Sequence, residues 1–248
     1  MKKMIFFALV AMMMTACGSK KGDANVTNTD TAVQMSENTD EENNEDMIQV
    51  EMEYRPLDDI EAAWASKTIY NVPSGSLDKM LERFNQTWTT GVADDACGVM
   101  REGVERKVLD EETGYTVVND TKNGYVSAFD DGTDSEYMSA CVWKRDNGHR
   151  LFSVVLGQPT DPEIEFICFY DYDPEKKTLK PEPAILNAFP QKDELTHRSF
   201  VLPKSGKNLM VTDITNDNEI YEHLFTWDGM KPVFSKTEEK DWDSYFGL

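Results

Sequence analysis

Two periods of apolar residues divide the chain. In "SGSLDKMLERFNQTW" the residues Leu77, Met80, Leu81, Phe84 and Trp88 recur at offsets 0, 3, 4, 7 and 11, the stripe of an amphipathic helix. Ser74 or Ser76 is suited to cap it. A shorter helix is predicted over Leu57 to Trp64, with Ile60 and Trp64 four apart on one side. After Gly98 the helical period disappears, and "DDACGVM" around Cys97 reads as a loop. From Val104 onward nine or ten short apolar runs alternate with turn residues: Gly114, Asn123-Gly124, Asn147-Gly148, "DPEKK", "KSGKN", "TNDN" and "DGM". Runs this short and turns this tight predict antiparallel strands. The fold expected is α+β: one antiparallel, β-sheet-rich domain with one or two N-terminal helices packed on the sheet.

The middle strands permit a finer prediction. Asn-Gly is the strongest short signal for a two-residue turn, which sets Asp146 opposite His149, Cys141 opposite Val154 and Trp143 opposite Phe152. After a Pro-containing loop, Gln158 to Pro162, the strand "EIEFICFYDYD" should place Ile164, Phe166, Cys168 and Tyr170 on the face of Phe152, Val154 and Leu156. A slip of one residue would put Glu165 there instead. Cys141 and Cys168 then share a face two strands apart, about 9–10 Å, beyond the roughly 7 Å that disulfides span. Ile167 and Phe169 make the second face apolar as well, so the helix at 76–88 is expected to cover one side.

Upstream of the domain the pattern changes twice. Lys2 and Lys3 precede an apolar run from Met4 to Met14, about half the length needed to cross a bilayer, which closes on the small residues Thr15 and Ala16. Residues 1–16 therefore read as an export signal. Between Gly22 and Tyr54 there are ten acidic residues and no Lys or Arg. Residues 17–54 thus read as a disordered, extended linker, since their few apolar groups cannot offset the entropy of ordering. The globular domain is then 55–248, with 21 basic against 36 acidic side chains. A surface of net charge −15 repels polyanions such as nucleic acid.

The junction Ala16-Cys17 resembles the lipobox of bacterial lipoproteins, with Met14 where that family prefers Leu. The resemblance implies cleavage before Cys17 and acylation of it, membrane attachment through acyl chains such as palmitate, and, with Gly18 following, sorting to the outer membrane. "KNGYVSAF", "CVWKRDNGHRLF", "FYDYDPEKKTLKPEP" and "TWDGMKPVF" are similar to stretches of uncharacterised secreted lipoproteins from gut-type Bacteroidetes. They imply a fold and an envelope location, on the periplasmic side or the cell surface, and no activity.

Chemistry is thinly signalled. With Cys17 acylated, Cys97, Cys141 and Cys168 remain; the expectation is that all three are free and buried, with Cys97 pairing one of the others as the alternative. Ser76 and Lys79 stand three apart at a helix start, as a nucleophile and its base would, and Lys204-Ser205-Gly206 resembles the second signature of penicillin-recognising serine enzymes. The middle element of that family is absent, and an N-cap with a solvent-facing lysine accounts for the same residues. For calcium, Asp213, Thr215, Asp217 and Glu219 alternate as in a calcium loop, but Asn218 replaces the usual Gly and no Glu closes the loop. "DDGTDSE" from Asp130 is another oxygen-rich turn. Trp143, Tyr170, Tyr172, Phe225 and Trp227 are candidates for a sugar platform, with core packing preferred. No cofactor motif is present, and the expected role is a non-catalytic module binding a protein or glycan, against a Ser76/Lys79 hydrolase or a calcium-dependent binder.

Overall fold

The computed structural model describes residues 54–129, 136–158, 161–190, 195–242 and 245, and the side chains of 161–164 fall outside that set. The signal, Cys17, the linker and the Asp130–Ser135 part of the acidic turn therefore lie outside the described residues. Those described belong to one compact unit. Its chain order is α1 (Leu57–Ala63), α2 (Leu77–Trp88) and α3 (Gly91–Glu102), followed by β1 (Arg106–Asp110), β2 (Tyr115–Asp120), β3 (Tyr125–Phe129), β4 (Tyr137–Lys144), β5 (Arg150–Gln158), β6 (Asp161–Asp173) and β7 (Thr178–Pro181). A 3-10 turn, Pro183–Ala188, leads to β8 (Leu195–Val201), β9 (Leu209–Thr215), β10 (Ile220–Trp227) and β11 (Pro232–Lys240). Every strand pairs antiparallel with its sequence neighbour, so β1–β7 form one meandering sheet and β8–β11 a second. The α+β expectation holds.

Three layers result. β5 is buried from Leu151 to Gly157, so both of its faces are covered. On one face Phe152, Val154, Leu156, Phe166, Cys168 and Tyr170 meet the helices. The stripe of α2 supplies Leu77, Met80, Leu81, Phe84 and Trp88, all buried. The Phe84 ring packs edge-on against Phe152 and Tyr170, at 6.1 Å from each, contacts that add about 0.5–1.5 kcal/mol each beyond the area they bury. On the other face Tyr125, Cys141, Trp143, Leu151, Val155, Ile167 and Phe169 pack against Leu209, Val211 and Phe225 of the second sheet.

Two expectations are corrected, and one strand appears that the sequence pattern did not announce. First, Cys97 lies not in a loop but in α3, capped by the Thr90 hydroxyl, which accepts the Ala93 N–H at 3.3 Å, and closed by Gly103 at φ +72°. Its apolar stripe is made of small residues, Val92, Ala93, Ala96 and Val99, and is interrupted by Gly98, so the helical period is weak.

Second, the Asn147-Gly148 hairpin has a three-residue loop. Arg145 N–H donates to the His149 carbonyl at 3.0 Å, Gly148 N–H to the Arg145 carbonyl at 3.1 Å, and Gly148 takes φ +85°. Only glycine adopts that conformation without strain, and the turn with one left-handed residue is the next commonest hairpin after the two-residue kind. The extra residue shifts the pairing by one: Cys141 faces Ser153 and Trp143 faces Leu151. That turns Cys141 and Trp143 to the opposite side from Cys168, toward the second sheet. The β5–β6 prediction stands, with Phe152 opposite Tyr170, Val154 opposite Cys168 and Leu156 opposite Phe166; the side chain of Ile164 is among those not described.

The strand without a counterpart in the sequence pattern is β7, inside "KKTLKPEP", and its outer edge is closed by Ile69, whose N–H and C=O both pair with Leu179 at 2.9 and 2.8 Å.

Cys97, Cys141 and Cys168 are all buried and unbonded. Burial pushes the Cys97 thiol up to about 12 and holds Cys141 and Cys168 well above the ordinary value, so none is poised as a thiolate. Titration of the unreduced protein with a thiol reagent in denaturant should therefore count three thiols apart from Cys17, while Cys97, Cys141 and Cys168 react slowly in the folded protein. A count of one would mean a disulfide and a different strand arrangement.

Candidate functional site

The Ser76/Lys79 pair does not assemble. Ser76 stands at the N-terminus of α2 with its hydroxyl 2.8 Å from that of Ser74, while the Lys79 ammonium sits 3.0 Å from Glu82 and 3.8 Å from Asp78. The hydrogen bond and charge of Glu82 keep that ammonium protonated above the ordinary lysine value, the reverse of what a general base needs. A depression of about 320 Å³ between α2 and α3 is lined by Asp78, Lys79, Glu82, Cys97, Met100 and Arg101, without Ser76. Lys204-Ser205-Gly206 forms the β8–β9 turn, in the sheet on the far side of β1–β7.

The calcium set separates as well. Asp213 is fully buried on the inner side of the second sheet, whereas Asp217 and Glu219 are exposed at the β9–β10 turn and Glu219 accepts the Tyr221 hydroxyl at 2.7 Å. No cluster of His, Cys, Asp or Glu suited to a metal occurs among the described residues.

What Asp213 joins instead is a polar row across all four strands of the second sheet. Arg198 on β8 donates Nε and Nη2 to the two oxygens of Asp213 on β9, at 2.6 and 2.7 Å, and Nη2 also reaches the Pro190 carbonyl at 2.6 Å. On β10, His223 places Nε2 3.0 Å from Asp213 and Nδ1 2.8 Å from the Thr237 hydroxyl of β11. Arg198 is paired with Asp213, and His223 with Thr237, directly across the ladder. The order hydroxyl, imidazole, carboxylate is that of a nucleophile relay. Yet Arg198 already holds both oxygens of Asp213, so the charge that would stabilise an imidazolium is neutralised. The row joins the strands and satisfies polar groups that would be costly to bury alone.

A second buried carboxylate links the two sheets. Glu165, on the second face of β6, accepts the Phe200 N–H of β8 at 2.7 Å and the Tyr137 hydroxyl of β4, with His197 Nε2 at 3.6 Å. Gly157 lies between: a Cβ there would come within 2.5 Å of the Tyr137 ring and hydroxyl, so its bare backbone lets Tyr137 cross β5. Burial raises the Glu165 carboxyl to about 7, against the lowering effect of its two donors.

The third assembly lies at one end of the two sheets, where four hairpins meet. Trp143, at the end of β4, stacks on Trp227, at the end of β10, with centroids 5.7 Å apart and planes 12° apart. From the β8–β9 turn the Lys204 ammonium lies 5.9 Å from the centre of Tyr125, and that of Lys207 5.9 Å from the centre of Trp227. The β4–β5 and β10–β11 hairpins are tied by the Asp146 N–H, which donates to the Gly229 carbonyl at 2.9 Å. Behind them Arg145, itself buried, bridges Asp171 and Glu182, and His149 Nδ1 is 2.7 Å from Asp171. Of the aromatic set, Tyr170, Tyr172 and Phe225 are core, as preferred, and Trp143 is covered by Trp227. Sequence reading missed the lysines as partners of these rings, because the turn that carries them is some 20 residues from Trp227 and some 80 from Tyr125.

No protein-family model matches the chain, and no curated protein and no solved structure matches it.

The Glu165 site has a definite pH signature. Its carboxyl titrates near 7 in the fold and near 4.5 when unfolded, so between those values the native state binds the extra proton. The stability it contributes is complete below about pH 4.5 and is lost as the pH rises through about 7. Tyr137, His197 and the C-terminal Tyr245, which feels its charge, are the titratable groups facing it. Urea midpoints measured from pH 4.5 to 7.5 should fall more steeply for the wild type than for Glu165→Gln. Parallel curves would show that Glu165 ionises normally.

Proposed function

We propose that the chain is an exported lipoprotein of the bacterial envelope, held at the outer membrane by acyl chains on Cys17, whose globular domain is a non-catalytic binding module for a protein or glycan. The observation that carries the binding reading is the convergence of Trp143, Trp227, Tyr125, Lys204 and Lys207 at the hairpin end. A half-buried indole at a strand end and two exposed lysines on the neighbouring turn, over two packed sheets, are the material of recognition. Neither Ser76 nor Thr237 supports a rival, since Ser76 shares its hydrogen bond with Ser74 and the His223 beside Thr237 has a carboxylate partner occupied by Arg198.

Anchoring rests on the Lys2/Lys3 start, the apolar run Met4–Met14 and the Ala16-Cys17 junction. Each buried acyl CH₂ contributes about 0.8 kcal/mol, and more than one chain is needed for a stable hold. The first described residues emerge beside the helical layer: Arg55 N–H donates to the Thr89 carbonyl at 2.9 Å and its guanidinium lies 5.6 Å from the centre of Trp88. The lysine turn and Trp227 belong to the second sheet, on the other side of β1–β7 from the helices.

Metabolic labelling with an alkynyl palmitate should mark the wild type and not Cys17→Ala, which should move from the membrane to the soluble fraction. An unlabelled wild type, or label retained in Cys17→Ala, would sink the anchoring. A fluorophosphonate probe should mark neither Ser76 nor Thr237; labelling abolished by alanine at either would make the domain an enzyme.

A further inference from the structure

Lys204 and Lys207 project from one hairpin, separated by Ser205 and Gly206, with Gly206 at φ +80° closing the turn. Lys79, Lys107, Lys122, Lys176, Lys236 and Lys240 each have a carboxylate within ion-pair distance. Lys204 and Lys207 lie over rings instead, although acidic side chains far outnumber basic ones in this domain. A cation over a ring at an exposed site is held weakly enough for the ammonium to swing to an anion that arrives from solution.

The carboxylates at this end are partly engaged already. Asp228 accepts the N–H groups of Met230 and Lys231 at 2.7 and 2.8 Å, and these bonds lower its pKa. Asp146 is packed against Gly229. Its charge opposes a densely charged polyanion and leaves room for one whose charges are spread along it. Trp227 is half-buried, with Trp143 behind it and Lys207 in front. When Lys207 turns to an anion, the front of the indole becomes an apolar plate beside two cations. Sugar rings have an apolar C–H face to lay on such a plate, and an acidic peptide has no equivalent at each repeat.

We propose that this end of the domain binds an acidic saccharide, its carboxylate or sulfate groups taken by Lys204 and Lys207 and a sugar face taken by Trp227. This rests on the reading of the domain as a binding module and names its ligand class. The net negative surface repels highly charged polymers from everywhere else, which confines binding to the lysine hairpin.

The test uses the mature acylated chain in detergent micelles, with tryptophan fluorescence and affinity electrophoresis as readouts. Polygalacturonate and a sparsely substituted dextran sulfate supply the carboxylated and sulfated forms, with dextran as neutral control and poly-glutamate as acidic peptide. Wild type should bind one or both acidic saccharides, with a change in tryptophan emission and weakening at high salt. Lys204→Ala and Lys207→Ala should each weaken binding about tenfold, as expected for loss of one charge-assisted contact. Both positions are exposed, so the unfolding midpoint should match that of wild type and report intact variants.

Binding unchanged in the double variant overturns the proposal, as does failure of both acidic saccharides. Equal binding of dextran or of poly-glutamate also overturns it, while leaving the domain a binding module. The palmitate experiment decides the anchor independently of all these outcomes.

Discussion

The strand that most constrains this molecule is β5. Buried from Leu151 to Gly157, it is apolar toward both sides, and a sheet with such a centre cannot leave either face in water. The helices cover the side of Phe152, Val154 and Leu156; the second sheet covers the side of Leu151 and Val155. The edges follow the same need. Ile69 closes the β7 edge, while β1 is short, bulged at Leu109 and charged at Arg106, Lys107 and Asp110. A bulge and charges are the usual protection against pairing with another chain.

The charged groups that enter the interior are held in place by their hydrogen bonds. Asp213 would be costly to bury alone, but Arg198 and His223 satisfy it from the strands on either side. Glu165 is satisfied from β4 and β8, and its raised pKa records that burial still outweighs two donors. These groups specify which strands lie side by side more than they add stability: an apolar contact tolerates sliding, whereas a two-oxygen clamp on Asp213 does not. The same side chains are thereby committed to one another, whereas Lys204 and Lys207 at the hairpin end stand exposed over rings.

Much of the fold was legible because it is local. The stripe Leu77 to Trp88 is buried at all five positions, and ten of the strands coincide with short apolar runs between turn residues. The features that escaped depended on small effects. In α3, Val and Ala replace the large residues that make a helical stripe visible. One left-handed residue, Gly148, lengthened a hairpin and so turned Cys141 and Trp143 over to the other side of the sheet. The second sheet escaped altogether: each of its strands shows a pattern, but no residue states which surface its apolar side will meet.

The sequence by itself determined the elements, the antiparallel order of neighbouring strands and the presence of two apolar faces on β5 and β6, since periodicity and turn chemistry act over a few residues. Tertiary structure alone decided the partners. Arg198, Asp213, His223 and Thr237 lie on four strands, and Lys204, Tyr125 and Trp227 on three hairpins of two sheets. Such groups meet only when whole sheets pack. The side each strand presents then depends on hairpin geometry, where a single residue changes every neighbour downstream.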